Sequence, residues 1–197
     1  LQLTGKFSVY NALAAATVGL REGIGLRQIK SSLESVKGVD GRFEKVNCGQ
    51  DYTVIVDYAH TPDSLDNVLR TIKEFAKGRI ICVVGCGGDR DPGKRPLMAD
   101  IALRYSDFSV FTSDNPRSED PERILDDMTG HLTGEQTRWR RITDRRAAIE
   151  AAIYEARPQD VVLIAGKGHE TYQIIKGQVH DFDDRLVAKL FIEQRGL

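Results

Sequence analysis

Ile80-Ile81-Cys82-Val83-Val84-Gly85-Cys86-Gly87-Gly88-Asp89-Arg90-Asp91-Pro92-Gly93-Lys94-Arg95 is the stretch that decides the architecture. A short β-branched run, long enough only for a strand, breaks into a glycine-dense turn that leads into a helical window at 95–105. The same alternation repeats on both sides. Strands are expected at Thr53–Asp57, Ile80–Gly85, Phe108–Thr112 and Val161–Ala165, with a weaker one near Arg140–Thr143, and helices at 62–76, 95–105, 121–131, 144–156 and about 183–195. Strands alternating with amphipathic helices predict an α/β fold, a doubly wound, Rossmann-like and mostly parallel sheet with ligands at the carboxyl ends of its strands.

Further out, residues 10–22 and 26–36 are rich in helix formers and break at Gly23-Ile24-Gly25. Tyr172–Ile175 and Val179–Phe182 flank Gly177 as a small hairpin. Lys37-Gly38-Val39-Asp40-Gly41 has linker composition, which divides the leading helices, 1–40, from an α/β domain at 41–197.

Among 197 residues, 28 Lys+Arg stand against 29 Asp+Glu, a formal charge of −1. This balance provides no basic field to draw nucleic acid or an anionic membrane, so anion binding has to be local. The apolar runs fall well short of the roughly 18–20 residues of a membrane span. Leu1-Gln2-Leu3-Thr4-Gly5 has neither the basic start nor the apolar stretch of a signal peptide. Three cysteines, Cys48, Cys82 and Cys86, cannot all pair, and a reducing cytoplasm is the expected location.

Four segments at predicted strand ends carry the polar chemistry. In Asp57-Tyr58-Ala59-His60-Thr61-Pro62, a threonine N-cap and a proline at the first helical position make a rigid elbow that presents a carboxylate and an imidazole. These two groups either satisfy loop backbone or face a ligand. Gly88-x4-Gly93-Lys94 mimics a phosphate loop, but Arg95 replaces the magnesium-binding hydroxyl, and Asp89 and Asp91 would repel a polyphosphate. Arg90 stands where a dinucleotide fingerprint needs glycine. With Lys94 and Arg95 it either holds a carboxylate or phosphate or belongs to a solvated turn. In Asp114-Asn115-Pro116-Arg117, proline restricts the turn, and acid, amide and guanidinium together suit a zwitterion, although an Asx turn would use the same residues. Gly166-Lys167-Gly168-His169-Glu170 lacks the second histidine of a zinc protease motif, because Gln173 occupies that position. No paired Cys/His spacing offers a metal site.

Taken in order, these four motifs resemble those of the Mur ligases, in particular the members that add meso-diaminopimelate, over almost the whole chain. The part resembled is the third domain, from about residue 41, preceded by the closing helices of the central ATPase domain. The resemblance implies ATP and Mg²⁺ as cofactors, meso-diaminopimelate and a UDP-N-acetylmuramoyl dipeptide as partners, and amide formation through an acyl phosphate. It places the phosphate loop and magnesium ligands in a central domain that this sequence does not contain, so no catalytic residue is assigned here. It implies nucleotide contacts at Asn11, Arg42, Asp57 and His60, and a diaminopimelate site at Arg90, Asp114, Asn115, Arg117, Gly166 and Glu170. Ser8 departs from the family's frequent asparagine. The alternatives are an L-lysine-adding relative, distinguished at Arg117, and a module that binds the amino acid without catalysing anything.

Overall fold

The computed structural model describes residues 6–36, 38–133 and 137–196, so the readings of residues 1–5 and of Lys37 lie outside the described residues. Two helices, α1 (Lys6–Arg21) and α2 (Leu26–Ser35), lead the chain and pack on one another. The elements that follow are β1 (Glu44–Val46), β2 (Thr53–Asp57), α3 (Pro62–Lys73), β3 (Ile80–Cys86), α4 (Lys94–Tyr105), β4 (Phe108–Ser113), α5 (Pro121–Thr129) and β5 (Trp139–Arg141). The chain ends with α6 (Arg145–Glu155), β6 (Val161–Ala165), the hairpin β7 (Tyr172–Ile175) and β8 (Gln178–Asp181), and α7 (Asp184–Arg195).

The main sheet runs β1-β2-β6-β3-β4-β5. Every pairing is parallel except β1 with β2 at the edge. Side chains alternate across a strand, so each inner strand serves two layers. Ile55, Cys82, Val84 and Leu163 face a core shared with Leu65 and Leu69 of α3, Met98 and Ala102 of α4, and Leu125 and Met128 of α5. Their neighbours Val54, Val56, Ile81, Val83 and Val162 face Ile149 and Ala152 of α6 and Val187 and Phe191 of α7. Coverage on both faces explains why these strands read as continuous apolar runs rather than as alternating ones.

The winding positions the site. From β2 through β5 the crossover helices lie on one face, whereas α6 returns on the other and inserts β6 between β2 and β3. Crossovers leaving in opposite directions open a crevice above the strand ends, where doubly wound sheets bind ligands. The carboxyl ends of β2, β3, β4 and β6 therefore converge.

Most predicted bounds are met within a few residues. β1 was not predicted, because Glu44-Lys45-Val46 carries no β-branched run and is a strand only through pairing with β2. Helix α3 stops before residue 76, where Phe75 N donates to Ile72 O and tightens the chain into a turn. Among the described residues no helix is long and apolar enough to cross a membrane.

The thiols test the central position of β3. Cys82 and Cys86 both lie on it, and burial pushes each thiol up to about 12, whereas Cys48 is half-buried. An aromatic disulfide reagent at a pH of about 8, close to a free thiol's own pKa, is expected to modify Cys48 promptly and the other two only in denaturant. Prompt reaction of all three in the native chain would contradict this placement of β3.

Candidate functional site

At the end of β2 the carboxylate of Asp57, 5% exposed, accepts from Phe43 N at 2.7 Å and Ala59 N at 2.8 Å. Burial raises its pKa above the ordinary carboxylate value, opposed by those two N–H groups and by Arg42. The elbow forms as its sequence requires: Thr61 caps α3 by accepting from Ser64 N, and Pro62 opens the helix. His60 Nδ1 is held at 2.8 Å from Tyr58 O, and Lys94 Nζ donates to His60 O at 2.8 Å. The Tyr58 ring is the hub of this corner. His60 meets it edge-on at 4.7 Å, His169 lies at 5.4 Å, and the Arg42 guanidinium sits 4.8 Å above its centre.

The ends of β4 and β6 hold a second, more deeply buried group. Asp114 Oδ1 accepts from Asn115 N at 2.7 Å, while Asp114 Oδ2 is buried with no hydrogen-bond partner. A Cβ at Gly166, whose φ is +120°, would stand 2.6 Å from that free oxygen, so only glycine leaves the space before it open. Asn115 Nδ2 donates to Glu170 Oε2 at 2.9 Å, and its Oδ1 accepts from Ile174 N at 3.0 Å and Lys167 Nζ at 3.2 Å. Lys167, wholly buried, also lies 3.2 Å from Glu170 Oε2 and 5.4 Å from the centre of the Tyr172 ring. The other oxygen of Glu170 is 3.5 Å from Tyr58 Oη, which links the two corners.

Arg117 belongs to the same group. Its backbone, at φ +54°, donates to Ile174 O at 2.9 Å, and its guanidinium donates to Gly88 O at 2.8 Å. Of the six residues predicted for the amino-acid site, Asp114, Asn115, Gly166 and Glu170 come into direct proximity, with Arg117 alongside. Arg90 is exposed and donates to Asp89 O at 3.1 Å. The suggestion that Arg95 holds an anion is corrected: its side chain is 3% exposed and pairs with Glu119 at 2.8 Å and Asp127 at 2.7 Å, tying α4 to α5.

A cleft of about 770 Å³ opens between α1 and α3, lined by Ser8, Tyr10 and Asn11 on one side and by Arg42, Asp57, Asn67 and Thr71 on the other. Three of the four predicted nucleotide residues share it, and its volume is within the range of small-molecule sites. His60 is not among its lining residues and faces Tyr58 instead. Among the described residues no group of three or more His, Cys, Asp or Glu side chains is placed to hold a metal ion.

Sequence reasoning missed Tyr58, Lys167 and Gln173 as site residues. Gln173 Nε2 supports Asp114 O at 2.6 Å. A lysine between two glycines, directly after an apolar strand, was the available signal for Lys167, because a side chain at a strand end in a doubly covered sheet has little route to solvent.

A family model described as Mur ligase, glutamate ligase domain, matches residues 41–168, and the chain belongs to that family. It is 57% identical over 195 residues to the UDP-N-acetylmuramoyl-L-alanyl-D-glutamate--2,6-diaminopimelate ligase of Oceanobacillus iheyensis, covering 99% of this chain and 40% of that protein. Against the ligase of the same name from Syntrophomonas wolfei the identity is 60% over 189 residues, covering 95% of this chain and 39% of that one. The chain thus spans about 40% of the length of these curated relatives. A solved diaminopimelate ligase of that name superposes with a TM-score of 0.78 at 41% identity, over 99% of this chain and 40% of its own. A UDP-N-acetylmuramate-alanine ligase from Thermotoga maritima shares the fold, with a TM-score of 0.65 at 22% identity over 98% of this chain and 38% of its own.

Removing the Lys167 ammonium leaves Glu170 without the cation 3.2 Å from its Oε2. Lys167→Met is expected to lower stability by about 1–3 kcal/mol, the cost of leaving a partly buried polar group unpaired, moderated by the access of Glu170 to water. Urea denaturation measures this, and an unchanged midpoint would contradict the pairing.

Proposed function

We propose that this chain is the carboxyl-terminal part of an ATP-dependent ligase that joins meso-diaminopimelate to UDP-N-acetylmuramoyl-L-alanyl-D-glutamate. In this reading residues 41–197 form the third domain, and α1 and α2 close a central domain. The exposure of Tyr10, Leu13, Val18 and Leu26 on these helices supports that division, since such side chains are normally covered in a complete protein.

The observation that carries the reading is the buried polar group at the ends of β4 and β6. Asp114 Oδ2, unpartnered, and Glu170 Oε1, only distantly engaged, are acceptors for ligand ammonium groups. Arg117, with Arg90 recruited from the adjoining loop, supplies a guanidinium for the second carboxylate that distinguishes diaminopimelate from lysine. Gly166 leaves room for the ligand, and Asn115 holds Glu170 in place. A site built around polar partners rejects an analogue lacking the matching group by roughly 10⁴–10⁵-fold, because the partners are left unmatched.

Asn11, Arg42 and Asp57 fit a nucleotide in the cleft between α1 and α3, with His60 shaping the corner through Tyr58. ATP supplies the phosphoryl group that converts the dipeptide carboxylate into an acyl phosphate, which the amine then attacks with loss of phosphate. The contribution of this domain is to bind and orient that amine and to cover the nucleotide from one side. Mg²⁺ is assigned to the remainder of the enzyme, and a cytoplasmic location follows from the nucleotide-linked substrates.

Calorimetric titration tests the assignment. The chain is expected to bind meso-diaminopimelate saturably and L-lysine at least about tenfold more weakly, with Arg117→Ala removing the preference. Equal affinity for both amino acids in the full-length protein would overturn the choice of substrate. ATP-dependent ligation by the 197-residue chain alone would overturn its assignment as a part that needs the ATPase domain.

A further inference from the structure

Beneath the amino-acid loops lies an ion pair that no part of the reading above uses. Arg145 opens α6 and Asp184 opens α7, and both side chains are fully buried. Arg145 Nε donates to Asp184 Oδ1 at 2.8 Å and its Nη2 to Asp184 Oδ2 at 2.7 Å, a two-pronged pairing. The guanidinium also reaches two main-chain carbonyls, Ser113 O at 3.2 Å and Ala165 O at 3.1 Å. Four of its contacts are therefore fixed, out of the five donors that a guanidinium has.

Helix position does not account for this arginine. A cation at a helix amino terminus is opposed by the helix dipole, and burying it costs solvation. What it bonds accounts for it. Ser113 is the last residue of β4 and Ala165 the last of β6, so the two carbonyls immediately precede Asp114 and Gly166. These strands are not neighbours, because β3 runs between them. No ladder bond joins their ends, and the guanidinium spans the gap. The carboxylates of Asp114 and Glu170 also interact favourably with its charge.

We infer that Arg145, held by Asp184, is a positioning residue for diaminopimelate, setting the separation of the Asp114–Arg117 loop from the Gly166–Glu170 loop by clamping the carbonyls at their roots. This rests on the assignment of the amino-acid site above. Lysine at position 145 keeps the charge opposite Asp184 but offers a single ammonium in place of a planar fork, so it cannot grip Asp184 with two prongs and span both carbonyls. Displacements of about 1 Å are enough to cost on the order of 10²-fold in a reaction that depends on orientation.

The test uses the full-length protein that carries this segment, comparing Arg145→Lys with the parent for its KM values toward diaminopimelate, ATP and the nucleotide-linked dipeptide. The expected result is a rise of at least about tenfold in KM for diaminopimelate with less than about twofold change for the other two, the fork being lost while the fold is kept. Should Arg145→Lys melt far below the parent, Arg145→Met/Asp184→Leu carries the same expectation, since replacing both members of a buried pair with apolar residues is often neutral for stability. A rise shared equally by all three substrates, or an unchanged kcat/KM for diaminopimelate, would mark the pair as merely structural and overturn the inference. A parent protein that does not use diaminopimelate would overturn the functional reading itself, and this inference with it.

Discussion

A sheet covered on both faces leaves little room for charge along its inner strands, so the charged side chains appear where those strands stop. That constraint organises the molecule. Val54 to Val56, Phe108 to Ser113 and Val161 to Ala165 are almost wholly enclosed, and the first residues that can carry charge are Asp57, Asp114 and Lys167. Insertion of β6 between β2 and β3 brings those three ends to one rim. Rigid strands thus aim polar groups that flexible loops could not hold.

Once gathered there, the charges have to be reconciled. Asp57 relies on two main-chain N–H groups, Glu170 on Lys167 and Asn115, and Arg117 on Gly88 O. Asp114 keeps one oxygen without a partner, a costly arrangement for an enclosed carboxylate. Of the rest, Glu170 Oε1 is lightly held, 3.5 Å from Tyr58 Oη, so in the proposed function an incoming cationic group meets its strongest unsatisfied acceptor at Asp114. The aromatic corner around Tyr58 then connects this point, through Glu170, with the side of the molecule that carries Arg42 and Asp57.

The parallel core was legible because its strands are short β-branched runs separated by glycine- and proline-marked turns, and β2 and β6 fall at their predicted bounds. The edge strand β1 escaped notice because three residues with no apolar run have no signature apart from their partner. The motif residues were legible by type and spacing. Enclosure was not: Lys167, Arg145 and Asp184 have charged side chains that composition assigns to water, and only tertiary packing takes them out of it, Arg145 against Asp184 where α6 and α7 begin and Lys167 against Asn115, Glu170 and Tyr172. Arg95 shows the opposite failure, a basic residue in the first turn of α4 whose place after the glycine-dense turn suggested a ligand contact but which holds two helices together.

The late entry of β6 has a consequence for how the chain acquires its structure. Before residue 161 is available, β2 with its edge partner β1 and the trio β3-β4-β5 are two separate ribbons, each exposing an unpaired inner edge. The strand that welds them is supplied only from Val161 onward, so the sheet cannot zip up progressively from the amino end. Topologies dominated by such distant pairings fold slowly and leave sticky edges open meanwhile. A nascent chain halted short of β6 would possess six of the seven described helices and five of the eight described strands, yet have no continuous sheet on which to arrange them.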